Sequence, residues 1–375
     1  MLKIGMECES IEGSESWGVG RIVKKLLEEI SHRPELASEF RFFLYFKSQI
    51  PDYPWLASPI FVKKVIGMPS FSLYYYFFLP IKMWFEKLDL VFFPNYMLPI
   101  LFQGKSLVIL TEDIYYEIHS GTLPWRYKLA YKIFAGWAAK HATRIMTISE
   151  TSKKEVARLF KINPTRIVIN PLGIDLPKPI PHSTFHIPYS NYILYVGQAF
   201  PRRHLRETML AFEILASQTG NWKLETGNLQ LIAIGKDKYN PPVIEKLKNE
   251  INNRLGRNAI IYKEYVPEEE LAQLYSGAKC VVYVSLKEAF GLPPPEALGY
   301  GVPAVISNSE ISHEIFGDNA FFVSNPDNPE SISEAIKKTL TDEAKRQKIK
   351  ESALQILEKY TWQSFTNMFL DVARR

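Results

Sequence analysis

Short apolar runs alternate with helix-forming stretches along the whole chain, and this alternation constrains the fold more than any other feature. The runs are LKIGMEC at the start, FRFFLYF at 40–46, LDLVFF at 88–93, SLVILT at 106–111, RIMTIS at 144–149 and RIVINP at 166–171. After the first comes a loop with Gly13, Gly18 and Gly20, then Val23, Leu26, Leu27 and Ile30 at helical spacing. Short buried strands alternating with helices predict a parallel sheet covered on both faces. A Pro-rich break at Pro171–Pro188, with Pro177, Pro179 and Pro181, reads as a linker. The pattern then restarts with YILYVG at 192–197, a helix over Leu205–Gln218, LQLIAIG at 229–235, IIYKEYV at 260–266, CVVYVS at 280–285 and VPAVIS at 302–307. The expected architecture is α/β, two doubly wound domains in succession, and 375 residues suit two such domains.

Composition narrows the class. Apolar residues make up 46% and charged residues 23%, which fits a globular chain and not a disordered one. Cys8 and Cys280 are the only cysteines, so neither a disulfide framework nor a zinc ligand set is expected, and a reducing cytoplasm is. No signal peptide is visible at the start. The most apolar stretch, Phe71–Phe85, is shorter than a membrane span, carries Lys82 and is broken by Pro80. It reads as a buried or interfacial helix, with a membrane-surface contact as the alternative. Net charge is +5, unevenly placed: residues 1–180 carry +6 and the remainder −1. A basic first half suits a phosphate-bearing acceptor or an anionic bilayer, and equally an ordinary charged surface. Nothing points to nucleic acid.

The strongest chemical signal is SLKEAFGLPPPEALGYGVP at 285–303. It follows an apolar strand, so its loop falls at the carboxyl edge of a sheet, where open α/β sheets bind ligands. A helix over Pro295–Tyr300 is expected, with backbone N–H groups at its start available to phosphate or sugar oxygens. Glu288 on the loop and Glu296 in the first helical turn can accept hydroxyl hydrogen bonds from a sugar and a ribose separately. Two glutamates at this spacing are common by themselves; the whole string is much rarer.

That string, Glu288-AFGLPPP-Glu296, resembles the Glu-x7-Glu signature of glycosyltransferase family 4. YVGQAFPRRHL at 195–205 is similar to the family's strand, glycine and basic pair, and LAQLYSGAKCVVYVSLKEAFGLP at 271–293 to the approach to the signature. INPLGID at 169–175 and YTWQSF at 360–365 resemble the end of the first domain and the entry to the last helix. The resemblance implies a GT-B fold: two Rossmann-like domains facing a central cleft. Residues 1–180 would form the acceptor-side domain, with a helix at about 361–375 packing back on it. Residues 181–360 would hold the donor.

By the same resemblance Glu288 contacts the transferred sugar and Glu296 the ribose. The backbone of Phe290, Gly291 and Leu292 faces sugar and diphosphate, beside Gly197. Arg202 and Arg203 take the place of the pair that neutralises the diphosphate, where a second arginine adds a fork able to bind oxygens bidentately. Gly18 and Gly20 resemble the glycine-rich loop that meets donor and acceptor from the first domain, although a plain tight turn explains them equally. Where many members carry His-Asp, this chain has Glu112-Asp113. Glu112 can accept from a sugar hydroxyl but cannot imitate a neutral imidazole donor, and Asp113 also suits a helix N-cap. His119 and His204 read as ordinary loop or helix-start residues.

The implied reaction is hexosyl transfer with retention, metal-independent and without a cofactor. It would run from a nucleotide sugar (GDP-mannose first, UDP-hexose second) to a saccharide or lipid-linked saccharide hydroxyl. Front-face attack is favoured, in which the departing phosphate helps take the acceptor proton, and domain closure would exclude water. Three rivals remain. A nicotinamide oxidoreductase should show a tight G-x-G-x-x-G, which is missing. An epimerase should show Tyr-x-x-x-Lys in its first, cofactor-binding half, and residues 1–180 hold no such pair: Tyr127 at that spacing meets Tyr131. A non-catalytic nucleotide-sugar or glycan binding protein derived from a transferase is the third, supported by the Glu112 departure. The expected location is the cytoplasm, with contact at the inner membrane face.

Overall fold

The structure is a computed structural model that describes residues 1–13, 18–119, 125–177, 188–218 and 228–375. The chain divides into two compact units, residues 1–173 with 360–375, and 174–359. The divisions fall at Gly173/Ile174 and Lys359/Tyr360, against the expected 180/181 and 360/361. Pro179 and Pro181 of the expected linker lie outside the described residues.

Unit 1 is built on seven parallel strands: β1 (Leu2–Glu7), β2 (Phe40–Phe46), β3 (Phe61–Val65), β4 (Leu90–Phe93), β5 (Ser106–Ile109), β6 (Arg144–Thr147) and β7 (Ile167–Ile169). Their order is β3-β2-β1-β4-β5-β6-β7. Strand order reverses between β1 and β4, which makes the carboxyl ends of these two strands the unit's natural ligand edge. The amphipathic helix α1 (Val19–Ser31) buries Val23, Leu26, Leu27 and Ile30, as its spacing predicts.

The apolar stretch near 71 is helical but irregular: α2 (Phe71–Leu73), a π turn over Tyr74–Phe78, then α3 (Leu79–Phe85). Pro80 does not break it. Proline lacks the N–H that would close an ordinary helical turn, and the wider π turn accommodates the loss. Tyr74, Tyr75, Leu79 and Met83 enter the core from one face of this segment. Then follow α4 (Asp113–His119), α5 (Trp125–His141) and α6 (Glu150–Phe160), the last capped by the Ser149 hydroxyl.

Unit 2 holds six parallel strands, β8 (Tyr192–Val196), β9 (Gln230–Ile234), β10 (Ile260–Lys263), β11 (Val281–Tyr283), β12 (Ala304–Ser307) and β13 (Phe321–Val323), in the order β10-β9-β8-β11-β12-β13. Here the reversal lies between β8 and β11. Its helices are α7 (Leu205–Ala216), α8 (Ile244–Leu255), α9 (Glu268–Gly277), α10 (Pro293–Gly299), α11 (Glu310–Phe316), α12 (Pro329–Thr341) and α13 (Glu343–Leu357).

The last helix, α14 (Trp362–Arg374), belongs to unit 1. It starts at a Thr361 cap whose hydroxyl accepts the Ser364 N–H at 3.0 Å. Its apolar face brings Phe369 to 5.1 Å of Phe92 on β4, and the Asn170 amide donates to the Phe365 carbonyl at 3.0 Å. Arg374 clasps the Glu39 carboxylate with two bonds, at 2.8 and 2.9 Å.

Candidate active site

In unit 2 the strand reversal draws two loops together, one after β8 and one after β11. Gly197 ends β8 with φ of +137°, a conformation closed to side chains, and lets the backbone turn beside Tyr283. The chain then forms a short 3-10 turn, Pro201–Arg203, before α7. His204 closes that turn in the left-handed region. It is buried, 3.3 Å from the Val284 carbonyl and 2.9 Å from the Asp327 carboxylate. His204 is thus a helix-start residue as expected, and it also ties the turn to the loop after β11.

The two arginines of this turn converge on Glu288. Arg202 Nη1 donates to Glu288 Oε1 at 2.6 Å and to the Lys287 carbonyl at 2.6 Å. Arg203 grips the same carboxylate as a fork, Nε to Oε1 at 2.7 Å and Nη2 to Oε2 at 3.1 Å. The Ser285 hydroxyl adds a bond to Oε1 at 3.0 Å. The Glu288 side chain is only 10% exposed. Burial would push its carboxyl up, but the adjacent Arg202 and Arg203 outweigh that and hold it down to about 2. Arg203 is half-buried, which disfavours its charge, yet Glu288 outweighs that and raises its pKa. Its guanidinium lies over the Tyr283 ring at 5.5 Å and the Phe200 ring at 5.6 Å. The sequence reading gave these residues separate tasks; the structure joins them in one cluster with a net charge of +1.

Gly291 has φ of +79°, which a side chain would strain, and it carries the loop into α10. The helix starts at Pro293, earlier than the expected Pro295. That corrects the expectation of N–H donors at its start: its first three residues are prolines and have none. Phe290, Gly291 and Leu292, just before the prolines, do carry backbone N–H groups. A small pocket lies against this loop, lined by Glu288, Phe290 and Gly291 together with Ser307, Ser309 and Ser312. Sequence reasoning missed the three serines, which follow a strand without any recognisable motif. The Ser307 hydroxyl is buried without a hydrogen-bond partner. Glu296, buried in the first turn of α10, accepts the Tyr275 hydroxyl at 2.9 Å, and Tyr275 stacks on Tyr300.

Unit 1 presents a different edge. Gly18 caps α1 with φ of +56°, and Gly20 is buried in the first helical turn; Trp17 and the three residues before it lie outside the described residues. Glu112, able to accept from a sugar hydroxyl, is buried, its carboxylate accepting the Ser152 hydroxyl of α6 at 2.5 Å, while its carbonyl accepts the Tyr116 N–H. Helix α4 begins at Asp113 itself, so the cap position falls on Glu112, and the Asp113 side chain lies outside those described. His119 is an exposed end-of-helix residue, its ring 2.7 Å from the Tyr115 carbonyl.

One residue went unread: Glu7, the last residue of β1 at the strand reversal. It is buried, accepts the Glu9 N–H at 2.8 Å and the Tyr74 hydroxyl at 3.3 Å, and burial pushes it up to about 8. An acid ending the largely apolar run of the first strand was the available signal. Among the described residues no group of three or more His, Cys, Asp or Glu side chains is placed to hold a metal ion.

Comparison with known proteins settles the family. The model described as glycosyl transferases group 1 matches residues 182–355, and the model described as Glycosyltransferase Family 4 matches residues 37–178. The chain belongs to these glycosyltransferases. It is 30% identical over 239 residues to an O-antigen chain mannosyltransferase B of Escherichia coli, covering 61% of this chain and 60% of that protein. With the O-antigen chain mannosyltransferase RfbU of Salmonella typhimurium the identity is 25% over 251 residues, 64% of this chain and 66% of that one. The chain thus spans less than two thirds of the length of either relative. WaaG, a glycosyltransferase involved in lipopolysaccharide biosynthesis, aligns over 99% of both chains with a TM-score of 0.72 and 17% identity. A sucrose-phosphate synthase from Thermosynechococcus elongatus covers all of this chain and 98% of its own, with a TM-score of 0.74 and 16% identity. These neighbours place the two Rossmann-like units in the GT-B fold.

Proposed function

We propose that this family member is a retaining hexosyltransferase using a nucleoside-diphosphate sugar, GDP-mannose first and UDP-glucose second. It would work in surface-polysaccharide or glycolipid synthesis at the inner face of the membrane, with a saccharide or lipid-linked saccharide acceptor. The observation that carries the reading is the Arg202–Arg203–Glu288 cluster at the strand reversal of unit 2. The mannosyltransferase relatives support the first donor.

In the reaction the bond from the anomeric carbon to the diphosphate breaks as a new bond forms to the acceptor oxygen on the same face. The acceptor proton passes to the departing phosphate oxygen. The diphosphate gains negative charge as it leaves, and preplaced guanidiniums stabilise that charge without reorganising. This reading needs neither metal nor cofactor. Glu288 fixes both arginines before donor arrives, then shares them with the diphosphate and accepts a sugar hydroxyl. It positions and does not attack. Glu296, held by Tyr275, accepts from the ribose.

A thermal-shift screen of GDP-mannose, UDP-glucose and ADP-glucose, followed by a transfer assay with and without EDTA, tests this. A donor-specific rise in Tm with EDTA-resistant turnover is expected. No response to any sugar nucleotide defeats the reading, and stabilisation without turnover would favour the non-catalytic binding protein.

A further inference from the structure

Exposed apolar side chains are ordinary when scattered and informative when gathered. Eleven of the nineteen exposed large apolar side chains among the described residues fall between Leu73 and Ile133, all in unit 1. Unit 2 has four, well separated in sequence. The largest are aromatic: Trp84 is 74% exposed, Phe85 73% and Trp125 70%. They lie on two neighbouring helical segments. Tyr76, in the π turn between α2 and α3, stacks on Phe134 of α5 at 4.5 Å, and the residues next to that contact, Phe77 and Ile133, are exposed. Each segment sends its other face into the core, through Tyr75, Leu79 and Met83 on one side and Tyr131, Ala135 and Ala138 on the other. Among the described residues the outward faces therefore have no partner that folding of the unit provides.

Within the two segments the charges share one sign. Residues 68–85 and 125–149 contain no Asp or Glu, while Lys82, Arg126, Lys128, Lys132 and Lys140 stand among the apolar positions. The nearby Glu86 pairs with Lys64 at 2.8 Å. A second copy of the chain is a poor occupant, since a two-fold contact sets each patch against itself and brings the cations together. An anionic bilayer fits both properties: its interface takes up Trp and Phe, long basic side chains lay their stems along apolar surface, and its headgroups pair with their tips.

We propose that the face formed by α2–α3 and α5 seats unit 1 on an anionic lipid bilayer. The inference names the surface behind the membrane location given above and is independent of donor chemistry. The full chain is sedimented with vesicles of phosphatidylglycerol mixed with phosphatidylcholine, and with phosphatidylcholine vesicles alone. Binding to the mixed vesicles is expected, falling with added salt. A Trp84→Ser, Phe85→Ser double variant should lower it about tenfold or more, and Lys82→Glu, Arg126→Glu, Lys132→Glu similarly. These side chains are exposed, so Tm should be unchanged, and the GDP-mannose thermal shift, followed in parallel, reports separately on the donor site. The proposal is overturned if the chain stays in the supernatant, if it binds both vesicle types equally, or if neither variant weakens binding. It is also overturned if the chain is a dimer in solution that the Trp84/Phe85 changes dissociate, because the face is then a self-contact.

Discussion

The two units share one architecture, a parallel sheet whose strand order reverses once, and they furnish that reversal in opposite ways. Unit 2 sets a carboxylate between two guanidiniums there, which hold it ionised. Unit 1 sets a carboxylate there too, but among the described residues Glu7 accepts from a tyrosine hydroxyl and a backbone N–H and has the like charges of Glu9 and Glu12 nearby. Burial alone does not decide the ionisation of an acid at a sheet edge; the sign of its neighbours does.

The largest break in this contrast should come from Glu288. Glu288→Ala leaves two enclosed guanidiniums facing each other, and turnover should fall about a thousandfold. Glu288→Gln should recover little, since a neutral amide cannot balance either charge. Steady-state kinetics that leave kcat/KM within a few fold of wild type would remove the cluster from the mechanism.

Acidity should act on the units with opposite signs. Glu7 stays protonated in the fold up to about 8 while the unfolded chain ionises near the ordinary 4.5, so its contribution to unit 1 is lost as pH rises between those values. Glu288 is held down to about 2, so its contribution to unit 2 is present above 4.5 and lost as pH falls toward 2. Hydrogen exchange resolved by unit, across pH 3 to 9, should show the two trends diverge. Glu7→Gln should flatten the first and stabilise unit 1 at pH 8 by on the order of a few kcal/mol.

Two smaller effects sharpen the comparison. Gly291→Ala meets no atom closer than 3.5 Å, so its cost is conformational, about 1–2 kcal/mol in a denaturant titration. Ser152→Ala deprives the buried Glu112 of a donor and should destabilise unit 1 by about 1 kcal/mol. It should leave the KM for donor unaltered; a rise would return Glu112 to the sugar.

How much could be read in advance follows the same division. The edge of unit 2 was legible because its chemistry is local: Glu288-AFGLPPP-Glu296 and the paired arginines each sit in one short string after a strand of buried aliphatics. The central strands of both sheets were legible because parallel strands buried on both faces are uniformly apolar. The edge strands β3 and β13 were not, since FVKKV alternates with lysines and FFV is only three residues long. Pairings distant in sequence also stayed hidden. Nothing in the letters links Glu112 to Ser152, Glu7 to Tyr74 or His204 to Asp327, because each meeting is made by the topology of the sheet.

The placement of α14 has a consequence for biosynthesis. Unit 2 is one uninterrupted stretch, but unit 1 receives its last wall only when residues 360–375, which follow unit 2, are translated. On the ribosome the second half can be complete while the first still shows Phe92 and the Asn170 amide to water. A nonsense change near Tyr360 would therefore spare unit 2 and expose apolar surface in unit 1, marking the product for aggregation or proteolysis.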